Sequence, residues 1–280
     1  MIANKPKGWT SHDVVAKVRR LAGQKRVGHA GTLDPMAEGV LPILLGRATR
    51  LADYIQLGRK TYVATVQLGT ATDTDDAEGT VIAQSPIPPL SKDLLEQTLS
   101  AFRGEISQTP PQYSALKVGG QRAYAVARAG GEVALAARPV TIDDLQLQTW
   151  SATELSLEVT CSKGTYIRAL ARDIAVALGT VGHLTKLIRT RVGPFHIEHA
   201  LSPDELASRD IAEAVLPASR AIPDVPAFSV DSQQTIDLRN GRPLAANGLR
   251  ADHVWVYDPD GLLVCLASAD GTLLKPRFAL

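Results

Sequence analysis

One carboxylate in the N-terminal part of the chain stands where chemistry is possible. The run Arg26-Val27-Gly28-His29-Ala30-Gly31-Thr32-Leu33-Asp34-Pro35-Met36-Ala37-Glu38-Gly39-Val40-Leu41 is basic at its front end, carries glycines at 28 and 31, and presents Asp34 just before a proline. Both glycines permit a tight loop with positive φ and let another molecule's backbone come close. A carboxylate held in such a loop can act as a nucleophile or a proton acceptor. The same residues also read as a helix start, with Asp34 as N-cap and Pro35 at the first helical position. A cap alone, however, needs neither His29 nor two glycines immediately upstream.

The flanking segments must position this loop. Val14, Val15, Val18 and Leu21 form one apolar stripe, so a helix is expected from an N-cap at Ser11 to a stop at Gly23. Val40 to Tyr54 is apolar enough to predict a buried helix ending in Arg47, Arg50 and Asp53. Tyr62, Ala64, Val66 and Leu68 then alternate with polar neighbours, the period of a half-buried strand. Gly69 to Gly79 is a loop rich in carboxylates, whose spacing does not fit a calcium loop. Ser91 caps a helix with Leu94, Leu95, Leu99 and Phe102 inward; Pro110 to Gly120 is an irregular connector, followed by a short helix with Tyr124 and Arg128. Val140–Trp150 and Leu155–Cys161 read as strands, and Ile167, Leu170, Ile174 and Leu178 as one face of a helix closed by Gly179. Another strand starts at Val192–Phe195, and Ser202 with Glu205 makes a capping box. Pro217 to Pro226 is the best linker candidate, and Asp258–Gly261 joins His253–Tyr257 to Leu262–Leu266 as a hairpin.

Composition narrows the function classes. The formal charge of +1 conceals an uneven distribution: residues 1–60 hold 11 Lys/Arg against 4 Asp/Glu, and residues 160–192 hold 6 against 1, in an otherwise acidic chain. Two basic segments are what a localised phosphate-binding face requires. No stretch approaches the ~20 apolar residues needed to span a bilayer, and no apolar run of signal-peptide length opens the chain; a cytoplasmic protein is expected. Cys161 and Cys265 have no partner at metal-ligand spacing and read as small buried hydrophobes. No Gly-Lys-Ser/Thr follows either glycine loop, which excludes a phosphate-loop enzyme. The six histidines are scattered, which argues against a metal site.

The stretch from Gly28 to Leu41 resembles the signature of the TruB family, the tRNA pseudouridine-55 synthases: Gly-His-x-Gly-x-Leu-Asp-Pro-x-Ala-x-Gly-Val-Leu, with every fixed position filled. Lys5-Pro6-Lys7-Gly8 through Val15, the Thr70–Gly79 loop, Tyr113-Ser114-Ala115-Leu116-Lys117 and Cys161-Ser162-Lys163-Gly164-Thr165-Tyr166-Ile167-Arg168 are similar to further motifs of that family. Two positions depart from it. Asn4 stands where many relatives have aspartate, and Ile188 where relatives often carry a second arginine, a loss that Arg189 or Arg191 is expected to offset.

The resemblance implies an α+β pseudouridine-synthase fold, with a central mostly antiparallel sheet flanked by helices, and a small β C-terminal PUA-like domain. It places a catalytic domain at 1–222, with an RNA-clamping insertion at about 108–132, and the PUA-like domain at 227–280. It implies that uridine 55 in the T loop of tRNA is flipped out and isomerised. Asp34 would be the catalytic carboxylate, Tyr62 would stack on the target uracil, and Arg168 would pair with Asp34 and hold it ionised. His29 would touch the flipped nucleotide or fill its gap, with Lys5, Lys60, Lys163, Tyr166 and Leu187 as further substrate contacts. No metal, no cofactor and no membrane contact are expected, and the partner is the T stem-loop of tRNA, met by a monomer. A non-catalytic RNA-binding module is the rival reading; Asp34 separates the two, because a binder does not need it.

Overall fold

A computed structural model describes residues 1–114, 117–118, 121–122, 126, 131 and 134–280. The strands of its first part are β1 (Ile2–Lys5), β2 (Val27–His29), β3 (Glu38–Leu45) and β4 (Lys60–Leu68), then a hairpin of β5 (Thr70–Thr72) and β6 (Val81–Gln84). They are followed by β7 (Gly104–Gln108), the small hairpin β8 (Lys117–Val118) and β9 (Gln121–Arg122), then β10 (Arg138–Trp150), β11 (Glu154–Cys161), β12 (Gly182–Val192) and β13 (Phe195–His196). The short helix expected around Tyr124 and Arg128, and most of the insertion expected at about 108–132, lie outside the described residues.

Among the described residues a nine-stranded sheet runs β1-β3-β12-β4-β11-β10-β7, with β2 added to β3 and β13 to β12. The β3–β12 contact is parallel and the other ladders are antiparallel, so the sheet is mixed but mostly antiparallel. On β4 the alternation expected from sequence holds: Tyr62, Ala64, Val66 and Leu68 are buried. With Leu155, Leu157, Val159 and Cys161 of β11 they form a layer against helices α3 (Lys92–Ser100) and α4 (Ile167–Ala177). Each fully buried aliphatic side chain there contributes about 1.5–3 kcal/mol relative to exposure, so this layer is what holds the cleft's floor rigid.

Three local expectations change. Helix α1 (Ser11–Leu21) is capped by Thr10 in a capping box with Asp13, not by Ser11. The Ser11 hydroxyl turns to the Asp34 loop instead, donating to the Leu33 carbonyl at 3.1 Å and accepting from the Leu33 amide at 2.9 Å. The predicted helix over Val40–Tyr54 is instead strand β3, a 3₁₀ segment (Gly46–Leu51) and the short helix α2 (Ala52–Leu57). An apolar run buried on both faces has no period to separate strand from helix. The expected positive φ is found at Gly31 (+101°), whereas Gly28 is an ordinary residue of β2.

Beyond short turns at 203–221, strands β14 (Ala227–Ser229), β15 (Leu244–Ala245), β16 (Arg250–Tyr257), β17 (Leu263–Asp270) and β18 (Leu273–Ala279) form a second sheet, ordered β14-β16-β17-β18-β15. Val254, Val256, Val264, Cys265 and Leu274 form its own core. The proline-rich segment is not a free linker: Ala221 packs with Leu51, Ile55, Trp255 and Leu266, and the Trp255 indole donates to the Ile222 carbonyl at 3.1 Å.

Candidate active site

Asp34 does not cap a helix. Its side chain is 39% exposed at the floor of a cleft of about 560 Å³, and one carboxylate oxygen lies 3.0 Å from Arg168 Nε. Arg168 comes from the first turn of α4, yet its side chain is only 6% exposed, far from the exposed helix arginine that position would ordinarily suggest. The Arg168 Nε–H is not aligned on the carboxylate, so in this state the attraction is Coulombic rather than a directed hydrogen bond. The rest of the guanidinium is fixed. It donates to the Thr74 and Tyr113 carbonyls, both at 3.0 Å, and lies 3.4 Å from the buried carboxylate of Asp76. Asp76 in turn accepts from the Thr74 hydroxyl at 2.6 Å and the Glu78 amide at 3.0 Å. The acidic loop therefore holds the arginine that faces Asp34; sequence reading saw its carboxylates but assigned Asp76 no role.

Tyr62 reaches the same cleft from β4 and is 8% exposed. Burial pushes its phenol up, while the charge of the neighbouring Arg189 works in the opposite direction. Leu187 and Arg189 of β12 line the cleft, as do Lys60, Lys163 and Tyr166. Lys163 is exposed and Tyr166 half-buried, with the Arg138 guanidinium 5.0 Å over its ring. Arg138 is a further basic residue of the cleft that sequence reasoning passed over.

Other expected contacts are placed differently. Lys5 is fully buried, and its ammonium donates to the carbonyls of Pro6, Trp9 and Pro35; it ties the N-terminal segment to the loop carrying Asp34 instead of facing a phosphate. Lys60 borders the cleft, but its ammonium donates to the Gln56 and Gly58 carbonyls. Desolvation draws both amines down to about 8. His29 sits on β2 opposite Ile43, outside the cleft lining, with its Nδ1 buried and unpartnered. Burial, with help from Arg189 and His12, lowers its pKa and favours the neutral ring. Ile188 belongs to the face of β12 opposite Leu187 and Arg189, and Arg191 is exposed and bonded to the Gly193 carbonyl, so only Arg189 of the two arginines reaches the cleft. Among the described residues no cluster of three or more His, Cys, Asp or Glu could hold a metal, and no helix is long and apolar enough to cross a membrane.

Fold and site together define an enzyme built around one accessible carboxylate held by a buried arginine, beside a buried tyrosine. Residues 19–167 match the family model described as TruB family pseudouridylate synthase (N terminal domain), and residues 168–221 match the tRNA pseudouridylate synthase B C-terminal domain. The chain belongs to the TruB family of pseudouridylate synthases. It is 43% identical to the tRNA pseudouridine synthase B of Arthrobacter sp. (strain FB24), over 99% of this chain and 94% of that one. It is 46% identical to that of Thermobifida fusca (strain YX), over 95% of this chain and 93% of that one. Among solved structures, a Cbf5-Nop10-Gar1 complex aligns with a TM-score of 0.71 at 28% identity, covering 97% of this chain and 78% of that chain. An H/ACA RNP bound to a substrate RNA containing 2'-deoxyuridine aligns with a TM-score of 0.75 at 24% identity, over 100% of this chain and 84% of that chain, a likeness of fold.

Proposed function

We propose that this protein converts uridine 55 in the T loop of tRNA to pseudouridine. In that isomerisation the N1–C1′ bond of the uridine breaks, a C5–C1′ bond forms, C5 loses its hydrogen and N1 gains one; nothing is oxidised or reduced. The target base leaves its stack at a cost of a few kcal/mol, offset by contacts in the cleft. Asp34 is the carboxylate that engages the nucleotide, Arg168 pairs with it and orients it, and Tyr62 packs against the extruded base. Leu187 and Tyr166 complete the walls, and Lys163 faces phosphate. The observation that carries the reading is Asp34 itself: a carboxylate open to the cleft but held 3.0 Å from a buried guanidinium that is clamped by Asp76.

The chain acts as a monomer in the cytoplasm, with residues 1–222 catalytic and the sheet of 227–280 serving as a PUA-like RNA-binding module. Curated relatives named tRNA pseudouridine synthase B, at 43–46% identity, favour a tRNA substrate over the ribonucleoprotein assemblies of the more distant structural neighbours. Incubating the protein with an unmodified T stem-loop transcript, followed by nucleoside chromatography, should yield pseudouridine at one position; no product refutes the reading. Exposed cations of the first basic segment, including Lys7, Arg20, Lys25, Arg26 and Arg59, supply phosphate contacts. Affinity for tRNA should accordingly fall by on the order of 10²-fold or more between 50 and 200 mM salt, as followed by filter binding.

A further inference from the structure

Arg189 is a cation with no ordinary reason to be where it is. It is 1% exposed, and among the described residues no carboxylate forms a salt bridge with it. Burying a charge without an opposite partner costs several kcal/mol unless hydrogen bonds offset it. The neighbouring inward positions of β12, Leu184, Leu187 and Val192, are aliphatic, so the strand does not otherwise bury charge. Two of its three donor nitrogens bond the segment that leads to Asp34. Its Nε donates to the Val40 carbonyl at 2.8 Å, Nη1 to the Thr32 carbonyl at 3.2 Å and Nη2 to the Gly31 carbonyl at 3.0 Å. Tyr62 is also its direct cross-strand partner, in the β4–β12 ladder.

The backbones of β3 and β12 approach closely beside Arg189. Gly39, at φ +104°, is paired in parallel with Arg189, and a Cβ there would collide with the Arg189 carbonyl. Arg189 and Tyr62 line the same cleft from adjacent strands.

We propose that Arg189 is a positioning residue of the isomerisation, a single guanidinium that sets the Gly31–Thr32 segment leading to Asp34 against its cross-strand neighbour Tyr62. The proposal rests on the reading of Asp34 and Tyr62 as the reaction centre. A planar fork bonded to the Gly31 and Thr32 carbonyls, on a residue paired across the sheet with Tyr62, fixes the separation of the two, and displacement by about 1 Å in such a centre costs on the order of 10²-fold in rate.

The test uses the full-length protein, T stem-loop RNA and single-turnover kinetics. Arg189→Gln is expected to lower the rate of pseudouridine formation about 100-fold while the RNA dissociation constant stays within about threefold. Arg189→Lys, which keeps the charge but not the fork, should recover only part of that loss. In a Tyr62→Phe background, Arg189→Gln should cost less than about threefold more, because the two act as a unit. A merely structural arginine would instead weaken binding or lower the melting temperature, with losses that multiply across the cycle. A wild-type rate in Arg189→Gln, or full multiplicativity with Tyr62→Phe, overturns the proposal. Should Arg189→Gln not fold, a wild-type rate in folded Arg189→Lys overturns it equally. Absence of pseudouridine with the wild-type protein would sink the underlying reading instead, so the two failures are distinguishable.

Discussion

The cleft and the C-terminal sheet handle charge in opposite ways. In the cleft, Arg168 is 6% exposed and shared between Asp34 and Asp76, and Arg189 is buried among carbonyls. In the C-terminal sheet and the helix Ser232–Arg239 beside it, the ion pairs Arg242–Asp237 and Lys275–Asp270 lie at the surface, with the Lys275 and Asp270 side chains 55% and 51% exposed. There Val254, Val256, Val264 and Leu274 supply the core without help from charge. A fold of this size is held by apolar burial in both regions. The two buried arginines lie around the cleft where a carboxylate must be aimed, and they are retained there despite their desolvation cost.

That contrast can be broken by substitution. The largest effect is expected from Asp34→Asn, which keeps the shape but removes the negative charge. Pseudouridine formation should fall by more than about 10³-fold while tRNA binding survives, and a near-normal rate would end the assignment. Asp76→Asn comes next. It leaves Arg168 with half its compensation and should cost on the order of 3 kcal/mol in denaturant unfolding, together with a slower reaction; an unchanged midpoint would mean that the acidic loop does not hold the arginine.

Lys60 sharpens the comparison through pH. Its amine is drawn down to about 8 in the folded protein, from an ordinary value of 10.5. Between those two values the unfolded chain binds the proton more than the folded one does, so folding stability gains as pH rises through that window. Below about pH 8 the buried charge is a constant cost. Relative to Lys60→Met, which cannot titrate, the wild-type protein should gain on the order of 2 kcal/mol between pH 8 and 10.5. Parallel stability curves for the two proteins would place that amine in water. The smallest effect belongs to the surface of the C-terminal sheet: Lys275→Ala should move the melting temperature by less than about 1 °C, as read by circular dichroism. A larger shift would show that the pair with Asp270 is structural and would weaken the contrast.

Much was legible from the order of residues alone. The alternation at Tyr62, Ala64, Val66 and Leu68 named β4 and its buried face, because a half-buried strand imposes a period of two. The capping residue Ser91, the Ser202–Glu205 box and the Asp258–Gly261 turn are local chemistry, decided within a few residues, and each is found in place. The loop around Asp34 stood out for the same reason, since its glycines, proline and carboxylate are neighbours in the chain.

Other features depended on distant partners and left no local trace. Whether Val40–Leu45 became strand or helix was settled by β1 and β2 pairing along it. Lys5 and Lys60 looked like surface cations until their ammonium groups met backbone carbonyls and were buried. The pairing of Asp34 with Arg168, of Arg168 with Asp76, and of Tyr62 with Arg189 joins residues far apart in the chain. Local pattern records the conformation a segment prefers; the environment of a charge is set by whatever the sheet brings beside it, and only the assembled fold specifies that.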